Sequence, residues 1–398
     1  MIPGDQFSSD GFIDRLYLLM QLVNPAVKEL EPLEFSYCLE PITPDDGWQL
    51  VTPPPRTQIE QMITQRSFYE AVQLRPQQCG HIVMDQTMLS LTRSLLVGLV
   101  SGLYTPAWLN QHFYFDLRGF FFLHRTSYFT PEIITYLGDT PFKQFTPLQE
   151  GLKSRLGVGY KEFMTANQEV DGCLVDLVHH MVQFKGSPLV IAVAGQTAAG
   201  KTEIVARLRD ALEAVYHSVT SIEMDNFLTD RDQREAKGID SLGREALHFE
   251  MFLETLNQII EGKEVTTPRY DFVQATSSHN PDGRLKPGSQ GLRVPPADII
   301  FMEGNAPFLY PEVARLIAIK IVYLTDDAMR LQRKWKRDMD YRKKYDLMYF
   351  LNRYFREQFL MAESVYRPQM ALCDILVDTS GATIWLTPEF KHMTEGLC

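Results

Sequence analysis

No two cysteines stand close together: the five, Cys38, Cys79, Cys173, Cys373 and Cys398, are scattered over 398 residues. That spacing excludes a CxxC zinc site and a dense disulfide framework, and isolated thiols in odd number are expected of a reducing cytoplasm. No apolar run reaches the roughly 20 residues that cross a bilayer. The most apolar stretch, LLVGLVSGLY at 95–104, is about half that length and follows Arg93, so it reads as a buried helix. No basic n-region or apolar core opens the chain, which begins MIPGDQFSSDG, and secretion is not expected. Positive charge is in deficit, with 39 Lys and Arg against 50 Asp and Glu and a net charge of -11. General affinity for nucleic acid or an acidic membrane surface is therefore excluded, because repulsion replaces attraction to phosphate. Low-complexity sequence is lacking too: 45% apolar and 22% charged residues make a folded globular composition.

What is present fills two domains, since one core seldom serves so long a chain. Residues 1–186 are expected to form a mainly α domain, from the three-and-four spacing of apolar residues in FIDRLYLLMQLV, IEQMITQRSFYEAV and MLSLTRSLLVGLV. Proline breaks this pattern in PITPDDGWQLVTPPP at 41–55, and the aromatic run HFYFDLRGFFFLHRTSYF at 112–129 reads as core. His179 and His180 receive no role. Residues 187–398 are expected to form an α/β domain with a mostly parallel sheet. SPLVIAVAG is a continuous apolar run, as strands buried on both faces require, and further strands are expected at 219–224, 297–304, 318–324 and 373–378.

The chemistry is carried by residues after 186. GQTAAGKT, comprising Gly195, Gln196, Thr197, Ala198, Ala199, Gly200, Lys201 and Thr202, fits G-x-x-x-x-G-K-[ST] between a strand and the helix-forming EIVARLRDALEAV. Backbone N–H groups of such a loop cradle phosphates, Lys201 reaches the β and γ phosphates of ATP, and the Thr202 hydroxyl ligates Mg2+. In IEMDNFLTD, Asp225 is expected at the end of a strand beside the first one, where a carboxylate can take a proton from an attacking hydroxyl. The competing reading is a turn cap. In ADIIFMEG, Glu303 ends an apolar strand and is expected in the magnesium shell, with Gly304 letting the backbone pass close by. In TDDAMRLQRKWKRD, offsets of three, four and seven gather Arg330, Arg333, Lys334 and Arg337 on one helical face able to clamp phosphate. A solvated basic helix is the plain alternative.

With these motifs in this order, the stretch from SPLVIAVAG to CDILVD, about 190 residues, resembles the phosphoribulokinase/uridine kinase family of P-loop kinases. AGQTAAGKT, MDNF, TPRYDF and ADIIFMEG are similar to the family's loop, D-x-F segment, P-x-Y-D-F and acidic strand, and TDDAMRLQRKWKRD to its lid. The resemblance implies a three-layer P-loop NTPase fold, use of ATP with Mg2+, Asp225 as base, and Lys201 and Arg330 as catalytic groups. It further implies that Arg330, Arg333 and Arg337 contact phosphate or acceptor, and that Tyr270 and Asp271 line the acceptor pocket. DRDQREAKG is similar to a D-R-x-x-R segment of phosphoribulokinases, which makes Arg231 and Arg234 candidates for an acceptor phosphate. Departures are also present. The D-H-P triplet of uridine kinases and the D-D-Y-H and Y-N-H-E signatures of phosphoribulokinases are missing, and the histidine after TPRYDF comes only at His279. RYFREQFLMAESVYRPQM stands where the family has lysine-proline and threonine-lysine-lysine-tyrosine elements. The expectation is a cytoplasmic kinase, alone or as a homo-oligomer, acting on a small hydroxyl-bearing metabolite: a nucleoside, sugar or sugar phosphate. A pantothenate-like or glycerate-like alcohol is one alternative, and a nucleotide-gated regulatory or scaffold protein is another.

Overall fold

The computed structural model describes residues 9–65, 74–76, 82–84, 86–117, 121–125, 128–148, 167–215, 218–239, 243–342 and 362–394. They divide into two compact units, and the division falls at Tyr128 rather than at 186. Residues 128–148 and 167–186 go with the second unit for two reasons. A short strand at Lys143–Gln144 pairs with Thr383–Ile384, and a helix at Gln168–Val182 buries Leu174, Leu177 and Met181 in the same core as Leu189 and Ile191.

The first unit is mainly helical, with helices at Ser9–Val23, Pro32–Leu39, Arg56–Ile63, Gln86–Val100 and Pro106–His112. Phe12, Leu16 and Met20, four residues apart, are fully buried along one stripe. The 95–104 stretch is a buried helix as expected, ending at Val100 with Tyr104 tucked behind it. The aromatic run is core too, but as a hairpin: Phe113–Asp116 pairs antiparallel with Phe121–His124 and buries Phe113, Phe115, Phe121 and Phe122. Consecutive aromatics favour the pleated surface over a helix, which the expectation of a helical half had passed over. Among the described residues no helix is long and apolar enough to cross a membrane.

The second unit is built on a seven-stranded sheet. In chain order the sheet strands and the longer helices are β1 (Lys143–Gln144), α1 (Gln168–Val182), β2 (Leu189–Ala194), α2 (Lys201–Glu213), β3 (Val219–Glu223), α3 (Phe249–Ile260), β4 (Ile299–Gly304), β5 (Ile319–Leu324), α4 (Asp327–Asp340), β6 (Ile375–Asp378) and β7 (Thr383–Leu386). The sheet order is β1-β7-β6-β5-β2-β4-β3. Strands β3, β4, β2, β5 and β6 are parallel, whereas β7 and β1 add antiparallel at one edge. Alternation along β2 sends Val190, Ala192 and Ala194 into one core with Phe252 and Leu256 of α3. Ile191 and Val193 face the other core, with Leu177 of α1 and Leu208 of α2. A strand covered on both faces must be apolar throughout, and the unbroken LVIAVA records it. One expectation is corrected: β3 does not lie beside β2. Strand β4 stands between them, Ile299 pairing with both Leu189 and Val219.

Candidate active site

The carboxyl ends of β2, β3 and β4 open onto a cleft of about 280 Å³, where ligands of open parallel sheets usually bind. After β2 the chain bends through 195–200 into α2. The bend must pass close to β5: a Cβ on Gly195 would fall inside the van der Waals shell of the Tyr323 carbonyl oxygen. Gly195→Ala is therefore expected to cost about 1–3 kcal/mol, read as a lower denaturation midpoint, because backbone rather than a flexible side chain has to move. An unchanged midpoint would show the bend to be looser than this. Ala198 holds a left-handed φ of 62°, strain of the kind concentrated at binding loops. Thr197, Ala198, Gly200, Lys201 and Thr202 line the cleft, while Gln196 is buried behind it.

Lys201 Nζ folds back to donate to the Gln196 carbonyl at 3.0 Å. Burial pushes its amine below the usual lysine range, and the Asp225 and Glu303 carboxylates pull it back up. Asp225 lies in a 3-10 turn at Met224–Phe227 directly after β3 and lines the same cleft. Gly304 permits that approach, since a Cβ there would stand 2.7 Å from the Met224 side chain. Between the two charged groups sits Asn305, receiving Lys201 Nζ on Oδ1 and donating Nδ2 to Asp225 Oδ1, each at 3.5 Å.

Glu303 accepts the Thr202 hydroxyl on Oε1 at 2.9 Å. Its other oxygen, Oε2, is buried without a hydrogen-bond partner among the described residues. Burial raises its carboxyl from 4.5 to about 8, against the lowering pull of Lys201. An orphaned carboxylate oxygen beside a threonine hydroxyl is a donor set that fits a divalent cation such as Mg2+. The sign of the pH effect follows. Between about 4.5 and about 8 the folded protein keeps a proton that the unfolded chain has released. This group's contribution to stability therefore falls as pH rises through that window, and a cation must displace the proton to bind. Mg2+ is expected to raise the melting temperature more at pH 8 than at pH 6, and Glu303→Gln to abolish the difference. An equal Mg2+ response at both pH values would contradict this.

The basic helix α4 divides its cations. Arg333 and Arg337 line the cleft, and Arg337 Nη2 donates to Thr197 Oγ1 at 3.1 Å. Burial lowers the Arg333 guanidinium to about 10. Arg330 and Lys334 do not reach the cleft. Arg330, 0% exposed, turns back to donate Nε to the Thr325 carbonyl at 3.0 Å, and Lys334 pairs with Asp338 at 3.1 Å. Although burial alone would raise the Asp338 carboxyl, Lys334, Arg337 and Arg342 hold it at about 2.

The acceptor candidates are also separated from the cleft. Arg234 is buried and donates to the Thr229 carbonyl and to Tyr270 Oη, while Asp271 Oδ1 accepts the N–H groups of Val273 and Gln274 in a turn. Arg231, Tyr270 and Asp271 are not among the lining residues. Sequence reasoning missed Glu203, Glu223, Phe272 and Arg342, which do line it. Phe272 was within reach, being the last residue of TPRYDF, and Arg342 lies just beyond the basic segment, its guanidinium 4.4 Å over the Phe272 ring.

Residues 190–383 match the model of the Phosphoribulokinase / Uridine kinase family. A uridine kinase of Lactobacillus helveticus is 28% identical over 198 residues, which is 49% of this chain and 88% of the relative. Uridine-cytidine kinase 2-B of Danio rerio is 28% identical over 200 residues, 48% of this chain and 72% of that one. The solved D-glycerate 3-kinase of Cryptococcus neoformans aligns with a TM-score of 0.35 at 13% identity, covering 55% of this chain and 96% of that structure.

Proposed function

Because residues 190–383 match the phosphoribulokinase/uridine kinase family, we propose that the chain is a kinase transferring the γ-phosphate of ATP to a hydroxyl of a small metabolite. The observation that carries this reading is one cleft holding the loop lysine, an acidic side chain for the incoming alcohol, and two arginines: Lys201, Asp225, Arg333 and Arg337. The loop N–H groups hold the phosphates, and Lys201, Arg333 and Arg337 balance charge on them. Asp225 takes the acceptor's proton as its oxygen bonds to the γ-phosphorus and the bond to the β-phosphate oxygen breaks, releasing ADP. Thr202 and Glu303 would hold Mg2+, which when bound offsets charge on the phosphate oxygens.

The acceptor in this reading is an uncharged, hydroxyl-rich molecule, a nucleoside or sugar. Two features support it. Glu223 and Asp225 are neighbours in the cleft, desolvation and Asp225 together pushing the Glu223 carboxyl up, and such a pair repels an anion. Arg234, a candidate for an acceptor phosphate, is instead buried in the protein. The names of the relatives, a uridine kinase and a uridine-cytidine kinase, point the same way. The test is an ADP-release screen over nucleosides, free sugars, pentose phosphates, glycerate and pantothenate. ADP release rising with a nucleoside or sugar is expected. Release only with phosphorylated or carboxylate acceptors would overturn the acceptor class, and release with none would overturn the kinase reading for this panel.

A further inference from the structure

One side chain from outside the family-matched residues reaches the phosphate loop. Tyr128 opens the second unit and its ring is buried. Its hydroxyl accepts from the Gln196 side-chain amide and, at 3.4 Å, from Arg330 Nη2. Gln196 is in the loop, and its carbonyl receives Lys201 Nζ. Arg330 lies in α4 and is tied through the Thr325 carbonyl to a residue whose hydroxyl donates to the Ala199 carbonyl at 2.9 Å. One phenol oxygen thus joins the two segments that grip phosphate in the kinase reading. The segment carrying it is fixed elsewhere by its own contacts. The Phe129 ring lies 5.6 Å from that of Trp385, Tyr136 Oη donates to the Cys373 carbonyl at 2.9 Å, and β1 pairs with β7.

We propose that Tyr128 is a positioning residue, holding the phosphate loop and α4 in the mutual placement that binds nucleotide. It is absent from the cleft lining, so it acts through Gln196 and Arg330. Deleting its hydroxyl removes one acceptor from the buried Gln196 amide and one from the buried Arg330 guanidinium, and with them the bond that joins the two segments. The inference rests on the kinase reading, and binding assays separate the two.

The experiment uses the full chain. Binding of MgATP is measured by calorimetry, and kcat and both KM values by ADP release, for wild type, Tyr128→Phe and Tyr136→Phe. Tyr128→Phe is expected to weaken ATP binding and raise its KM by about 3–10-fold, the worth of one net hydrogen bond, with acceptor KM within about 2-fold. Tyr136→Phe, which removes one of the contacts that anchor the same segment away from the loop, should weaken ATP binding by no more than about 2-fold, since the Phe129–Trp385 contact and the β1–β7 pairing still hold the segment. Gln196→Leu reads the contact from the loop side, and the double variant with Tyr128→Phe should lose no more than the worse single variant. If Tyr128→Phe does not fold, an unaltered ATP affinity in Gln196→Leu overturns the proposal. Wild type that binds no ATP would defeat the kinase reading itself. Wild type that binds ATP, with Tyr128→Phe equally tight or with additive losses in the double variant, would overturn the positioning role alone.

Discussion

Asp225→Asn is expected to lower acceptor-dependent kcat by about 10²–10⁴-fold, the usual worth of a positioned general base, with ATP affinity changed by no more than about 2–3-fold. The substitution keeps the size and the acceptor oxygen that Asn305 contacts at 3.5 Å, so the turn at 224–227 has no cause to move. What it removes is the carboxylate that, in the proposed reaction, takes the hydroxyl proton. ATP affinity should hold, because in the proposed reaction the phosphates are held by other residues of the cleft: the loop, Arg333 and Arg337. Turnover equal to wild type would take Asp225 out of the role of base.

Lys201→Ala is expected to lose about 10²–10³-fold in kcat/KM, as when a preorganised group facing developing charge is removed. Here the damage spreads beyond the missing cation. Lys201 is the largest charge holding the Glu303 carboxyl down from the height to which burial pushes it, and without the ammonium that carboxyl rises further. The proton on Glu303 then competes harder with Mg2+ at neutral pH. The variant should therefore need more Mg2+ for its residual activity, as a titration at pH 7 and pH 9 reads directly. Activity within about 10-fold of wild type and an unchanged Mg2+ requirement would contradict this.

The phosphate loop and the Thr202 to Glu303 contact were legible because each rests on local order, a strand followed by a fixed turn or an acidic end. In a parallel sheet those ends converge wherever the strands stand in sequence. The basic helix shows the limit of that reasoning. Periodicity groups Arg330, Arg333, Lys334 and Arg337, but it does not say how the helix is rotated about its axis. Arg330, in the first turn, folds back onto Thr325, and Lys334 faces Asp338 one turn on. The boundary at 128 was hidden for a similar reason. Strand β1 is only two residues long and exists through pairing with β7, some 240 residues later, and neither of these two antiparallel strands was foreseen. Asn305 gave no signal, since its place between Lys201 and Asp225 depends on three separate segments meeting.

The most direct measurement follows the labelled phosphoryl group. With γ-labelled ATP, Mg2+ and an accepted nucleoside or sugar, label should appear in a phosphomonoester of that acceptor for wild type. It should fall by at least about 10²-fold in both Lys201→Ala and Asp225→Asn. Label released only as inorganic phosphate, at a rate indifferent to the acceptor, would contradict the account.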